Sequence, residues 1–134
     1  MTFELLRYAL KHGRWAMLFG SELDATEVQA ELVRLVGDSA RVAFLDYRSA
    51  GAPLQELQDT VASAFGRDHL IHIAIAERLP RSVHSVITDL FLNGRFSFSG
   101  PELTGIIVLS AQTLRLSAYG PVDLREYFAL VSEM

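Results

Sequence analysis

A three-layer α/β/α domain with a mostly parallel sheet is the fold class this sequence predicts. Three observations carry it: continuous apolar runs of strand length, amphipathic stretches at helical spacing, and the alternation of the two along the 134-residue chain. A run that is apolar on both faces belongs to a strand buried between helices, and strands that alternate with helices pair in parallel.

Residues 2–12 predict a helix, because Phe3, Leu6 and Leu10, with Leu5 and Ala9 beside them, recur at a spacing of about 3.6 residues. Gly13 ends it. The run 15–19, closed by Gly20, predicts the first core strand. The Ser21-Glu22-Leu23-Asp24 turn leads into a second helix over 24–36, with Asp24 as its cap and Glu27 completing a box-like pattern. Val28, Leu32, Leu35 and Val36 form its buried face. Residues 42–45 predict a second strand, ending in Asp46-Tyr47-Arg48. Pro53 suits a helix first turn, and the helix 53–65 presents Leu54, Leu57, Val61 and Phe65 to the core.

The run 70–76 predicts a third buried strand. Pro80 starts a helix to Leu92, with Val83, Val86, Ile87, Leu90 and Phe91 apolar, and Asn93-Gly94 terminates it as left-handed caps do. Phe96 and Phe98 alternate with serines as in a short strand; a strand at 105–109 follows. The segment 113–118 alternates strictly, as an edge strand with one wet face does. A last helix is expected over 122–132, burying Leu124, Tyr127, Phe128 and Val131. No internal linker interrupts the series, so residues 1–134 read as a single domain.

Composition narrows the function. The net charge is −4, and a weakly acidic domain without a basic stripe lacks the clustered cations that neutralise phosphates, so no direct nucleic-acid binding is expected. No cysteine is present, which excludes disulfides, thiolate metal sites and a cysteine nucleophile, and fits a cytoplasmic setting. The apolar runs fall far short of the roughly 20 residues of a membrane span, and the amphipathic N-terminus, which carries Glu4, does not read as a signal peptide. His69 and His72 lie three apart on a strand, hence on opposite faces, and share no metal there. Asp46, Ser49 and a distant histidine lack the Gly-x-Ser-x-Gly elbow that would make them a hydrolase.

Taken together, Arg78-Leu79-Pro80, Leu90-Phe91-Leu92-Asn93-Gly94-Arg95-Phe96, and Ile106-Ile107-Val108-Leu109-Ser110-Ala111-Gln112 resemble the AAA+ domain of bacterial enhancer-binding proteins, the sigma-54 activators. In that family a strand ending in two acids is followed by an ELP turn, a helix, LQEGRF and a strand with a sensor Asn. Leu124-Arg125-Glu126-Tyr127-Phe128-Ala129-Leu130 is similar to the family's FREDLYYRL. The resemblance implies a P-loop-NTPase-like sheet. It also implies lost chemistry. A phosphate loop needs glycines, whose backbone N–H groups cradle the anion, and a Lys. Here the glycine positions hold Leu23 and Ala25, and the Lys position holds Thr26. The metal-site Asp falls on Ala76, leaving Glu77, and the sensor Asn on Gln112. The GAFTGA loop has no counterpart between Leu45 and His69, and Arg125, at a finger-like position, would have no nucleotide to act on.

The function this implies is a degenerate AAA+-like domain without catalysis, cofactor or metal, acting as a regulatory or scaffold protein through a protein partner or self-association. With no helix-turn-helix segment read after the domain, direct DNA recognition is not expected. Arginines and aromatic residues dominate interface hot spots, and Tyr119, Arg115, Arg125 and Arg95 are the candidate interaction residues. Trp15, Tyr47 and Tyr127 are further aromatic candidates, with Trp15 expected to be partly buried at the first strand instead, and the edge strand 113–118 offers backbone groups to a partner.

A second resemblance is to STAS signalling domains, whose GELD strand-turn-helix and following strand ending in Asp are similar to the chain from Phe19 to Ala50. It implies a kinase or anti-sigma partner, a mixed sheet and a phosphorylated serine, with Ser49 the nearest counterpart. A third reading, an enzyme binding a phosphorylated substrate at the strand ends, meets two carboxylates, Glu22 and Asp24, in the turn where the phosphate would sit.

Overall fold

The computed structural model describes residues 4–12, 14–48, 53–65, 70–76, 80–92, 106–112, 128 and 130–133. Helix α1 (Glu4–His12) precedes strand β1 (Ala16–Phe19), helix α2 (Ala25–Val36), a short 3₁₀ turn (Ser39–Arg41) and strand β2 (Val42–Tyr47). Helix α3 (Leu54–Phe65), strand β3 (Leu70–Ile75), helix α4 (Arg81–Leu92), strand β4 (Ile106–Ala111) and strand β5 (Leu130–Glu133) follow. The strands form one sheet in the order β2-β3-β4-β1-β5, and every pairing is parallel. The expected three-layer α/β/α fold is therefore the observed one, with β3 and β4 inside the sheet. The mixed sheet of the STAS reading does not occur among the described strands.

The order explains the layers. The chain leaves β1 in one direction to reach β2 at the edge, then returns through β3 to β4. Right-handed crossovers in opposite directions put their helices on opposite faces. Leu6 of α1, Val28 and Leu32 of α2 pack with Leu18, Val42, Leu70 and Val108 on one face. Leu57 and Val61 of α3, Val83 and Ile87 of α4 pack with Leu45, Ile71, Ile73, Ile107 and Leu109 on the other. Alternate residues of each strand thus supply the two cores.

Helix α2 begins and ends as its sequence asks. Asp24 is the cap, its carboxylate accepting from the Thr26 N–H at 2.9 Å. Gly37, at φ 83°, closes the other end in the left-handed region, with its N–H on the Val33 carbonyl at 2.8 Å.

Two expectations are corrected. Residues 130–133 form strand β5, not the end of a helix over 122–132. Ala16 pairs with Leu130 and Phe19 with Glu133, which satisfies the backbone groups on the side of β1 away from β4. That need of β1 outweighs the local helical period. Leu54 is 47% exposed rather than part of the core, because it precedes the helical turns whose Leu57 and Val61 reach the sheet. The expected strands at 96–98 and 113–118 lie outside the described residues.

Candidate functional site

Parallel α/β sheets bind ligands beyond the carboxyl ends of their strands, where neighbouring strands send their chains in opposite directions. Here that place lies between β1, which leads back to β2, and β4, which leads on to β5. The chain's own backbone bridges it. The Gly20 N–H donates to the Ala111 carbonyl at 3.1 Å, and the Leu23 N–H to the Gly20 carbonyl at 3.0 Å, so residues 20–23 make a tight turn. The Gln112 side chain, just past β4, reaches the Leu23 carbonyl at 3.4 Å.

The helix N-terminus beside this turn faces a carboxylate. A helix start is a ready anion site, because its first N–H groups lack intrahelical partners. Asp24 takes one of them through Thr26. Arg48, just past β2, closes on the same carboxylate from the sheet side, with Nη1 at 3.6 Å from Asp24 Oδ1. Its main partner is Asp46, reached by Nε at 2.8 Å and Nη2 at 2.7 Å. The bidentate Arg48 contact holds the Asp46 carboxyl below the usual carboxylate range, against the effect of partial burial. Leu23 and Ala25, at the positions where the resemblance has glycines, are both buried side chains.

Beneath this surface is a polar cluster that the sequence reading missed. His72, in the middle of β3, points to the α2 side. Its Nδ1 lies 3.0 Å from Gln29 Oε1 of α2, and its Nε2 lies 2.7 Å from Ser110 Oγ of β4. With Gln29 Oε1 facing Nδ1, the ring N–H donates there and Nε2 accepts a hydrogen bond from the Ser110 hydroxyl. Phe44, its register partner on β2, stacks on the ring at 4.8 Å and 6°. Burial, helped by the Arg48 charge and opposed by Asp46, pushes the His72 pKa down to about 3. Ser110, His72 and Gln29 stand in the order of nucleophile, base and orienter. An imidazole with that pKa takes up no proton near neutral pH, however, and both Ser110 and His72 are sealed from water. The trio ties α2 to the sheet. The one signal in the sequence was a histidine inside an otherwise apolar strand; its partners, 43 and 38 residues away, gave none.

The sequence-predicted residues fare unevenly. Tyr119, Arg115, Arg125 and Arg95 lie outside the described residues, as do Glu77, Arg78, Tyr127 and Ser49. Trp15 is buried beside the first strand, as expected, and Tyr47 is corrected: it too is buried and offers a partner no anchor. Trp15 packs against Phe128 at 5.6 Å. The Tyr47 hydroxyl donates to Glu56 of α3 at 3.2 Å, and burial, with the Glu56 charge, raises its pKa to about 12. Among the described residues no group of three His, Asp or Glu side chains is placed to hold a metal ion, and no helix is long and apolar enough to cross a membrane.

An all-parallel α/β/α sheet with this site at its strand ends defines an AAA+-like fold of the P-loop NTPase type, and solved structures agree. Three variants of RuvB from Thermotoga maritima, an AAA+ ATPase, superpose with TM-scores of 0.57, 0.58 and 0.58 at 17%, 16% and 17% identity. Each alignment covers 96% of this chain but only 41% or 42% of the RuvB chain. At that identity the likeness establishes the fold alone. No protein-family model matches the sequence, and neither does any curated protein.

Proposed function

We propose that this protein is a degenerate AAA+-like domain, of the sigma-54-activator kind that the sequence around Asn93-Gly94-Arg95-Phe96 resembles, and that it works as a non-catalytic regulatory or scaffold protein. One observation carries the reading. The helix N-terminus where a P-loop fold cradles phosphate is capped by Asp24, which is itself backed by Arg48. An incoming phosphate would meet a carboxylate, a turn with no glycine after Gly20, and no lysine. A domain with this shape and without this chemistry acts through its surfaces, on a protein partner in the bacterial cytoplasm or on a second copy of itself.

Calorimetric and thermal-shift titration with ATP, ADP and GTP plus Mg²⁺ tests it. A ligand that binds the native state at 100 times its dissociation constant raises stability by about 2.7 kcal/mol. The expected outcome is no shift with any of the three. A Mg²⁺-dependent shift would overturn the reading.

A further inference from the structure

Among the described residues, the large apolar side chains left in water are Tyr8, 52% exposed, and Leu54, 47% exposed. They lie on opposite layers. Tyr8 is on α1, which packs over β1 and β5; Leu54 is on α3, which packs over β2 and β3. The two therefore sit on opposite faces of the sheet and towards opposite edges.

Their electrostatic settings are opposite too. Helix α1 carries Glu4, Arg7 and Lys11, a net +1, and Arg14 follows two residues beyond its end. Helix α3 carries Glu56 and Asp59, a net −2 with no cation. Helix α2, with Glu27, Glu31 and Arg34, is −1, and α4, with Arg81 and Asp89, is neutral. Among the side chains described, the most positive and the most negative of the four helices are thus the two that expose a large apolar side chain. Around Tyr8 the exposed residues are Arg7, Lys11 and His12, with Glu4 one turn back; around Leu54 they are Gln55, Glu56, Gln58 and Asp59. The Tyr8 ring rests against His12 at 4.3 Å, which limits the freedom it would lose on being covered.

We infer that α1 of one copy docks on α3 of the next, with Tyr8 and Leu54 at the centre and Arg7 and Lys11 facing Glu56 and Asp59. The occupant of each face is a second copy of this chain, because each patch finds on the same molecule a patch of opposite charge that is also built around one apolar anchor. The contact is heterologous: the two surfaces differ, so every copy keeps one of each free and association continues into a ring or a filament. One helix face against another buries less than the 1,000 Å² or so of a lasting complex, so the association is weak and depends on concentration. This deepens the scaffold reading by naming the partner, and it rests on that reading.

Sedimentation velocity without nucleotide, from micromolar to near-millimolar protein and at low and high salt, tests the contact. Wild-type protein is expected to grow in size with concentration, and less so at high salt, where exposed charges are screened. Tyr8→Ser or Leu54→Ser should each weaken association about tenfold or more, as loss of a central anchor does, with an unchanged circular-dichroism melt. The decisive pair is Arg7→Glu/Lys11→Glu and Glu56→Lys/Asp59→Lys, the latter with its circular-dichroism melt checked because Glu56 also accepts the Tyr47 hydroxyl. Each double variant should be monomeric alone, and the two should associate when mixed, because the reversed α1 then meets the reversed α3. A wild-type monomer at every concentration overturns the proposal. So does association that survives all four variants, or that is lost only with Leu116→Pro, which would place the contact on the segment 113–118. None of these results bears on nucleotide, so the scaffold reading stands or falls on the titration above.

Discussion

The two sides of the sheet are built differently, although the same strands supply both. Towards α3 and α4 the strands β3 and β4 present Ile71, Ile73, Ile75, Ile107, Leu109 and Ala111, an unbroken apolar surface. Towards α2 the same strands begin alike, with Leu70 and Val108, but continue into His72, Ala74 and Ser110, and β2 continues into Asp46 and Arg48. The first side is held mainly by burial, with the Tyr47 hydroxyl on Glu56 at its margin. The second is a core at its amino end and a hydrogen-bonded network at its carboxyl end. In this fold, stability and site are separated by which way a strand residue points.

That contrast orders the effects of mutation. The largest belongs to the apolar side. Leu109→Ala removes a fully buried side chain from it and should lower stability by about 2–5 kcal/mol in urea unfolding. Next door, on the opposite face, Ser110→Ala leaves the His72 Nε2 without its donor. It should cost about 1–3 kcal/mol, the usual penalty for a buried polar atom that loses its partner. Equal losses at the two positions would erase the distinction between the faces.

The pH dependence separates the sides further. His72 has a folded pKa of about 3, below the ordinary value of 6.5. The unfolded chain therefore binds the proton that the folded chain refuses, and this contribution to stability is complete above pH 6.5 and lost as pH falls towards 3. Between pH 7 and pH 5 the loss is about 2 kcal/mol, from about 1.4 kcal/mol per pH unit below 6.5. His84 on α4, lowered by burial alone, adds in the same direction. Urea midpoints of His72→Gln at the two pH values should differ less than those of the wild type. An equally steep loss in the variant would show that the buried imidazole is not its source.

Smaller effects come from the rim. Asp24→Ala removes the cap of α2 and should cost about 1 kcal/mol, seen as a lower midpoint and faster exchange of the Thr26 amide. Arg48→Ala breaks a solvent-facing ion pair and should cost less than about 1 kcal/mol, with the difference shrinking in salt. A larger effect for Arg48 than for Asp24 would mean that the guanidinium, not the cap, holds the strand ends together.

How far the sequence could be read follows from range. Each described strand through β4 and each helix through α4 falls where its apolar period places it, because burial against a sheet or along a helix is written into neighbouring residues. Asp24 as a cap was legible for the same reason, since its partner is two residues away. The end of the chain was not. Residues 124–131 carry apolar residues at helical spacing, yet 130–133 extend beside β1, because a strand whose register partners lie 114 residues earlier (Ala16 for Leu130) has backbone groups to satisfy. The Gln29, His72 and Ser110 cluster was equally hidden, as was the meeting of Arg48 with Asp24.

By itself, then, the sequence determined the alternation of buried strands and amphipathic helices, the start of α2 at Asp24, and the absence of a glycine-lysine phosphate loop. These depend on local spacing and residue type, which no distant contact alters. Only the tertiary structure decided the strand order, the final strand, the histidine buried between α2 and β4, and the placing of Tyr8 and Leu54 on opposite corners of the molecule. Each of those depends on which segments the fold brings side by side, and hydrogen bonding and burial between distant residues leave no periodic trace along the chain.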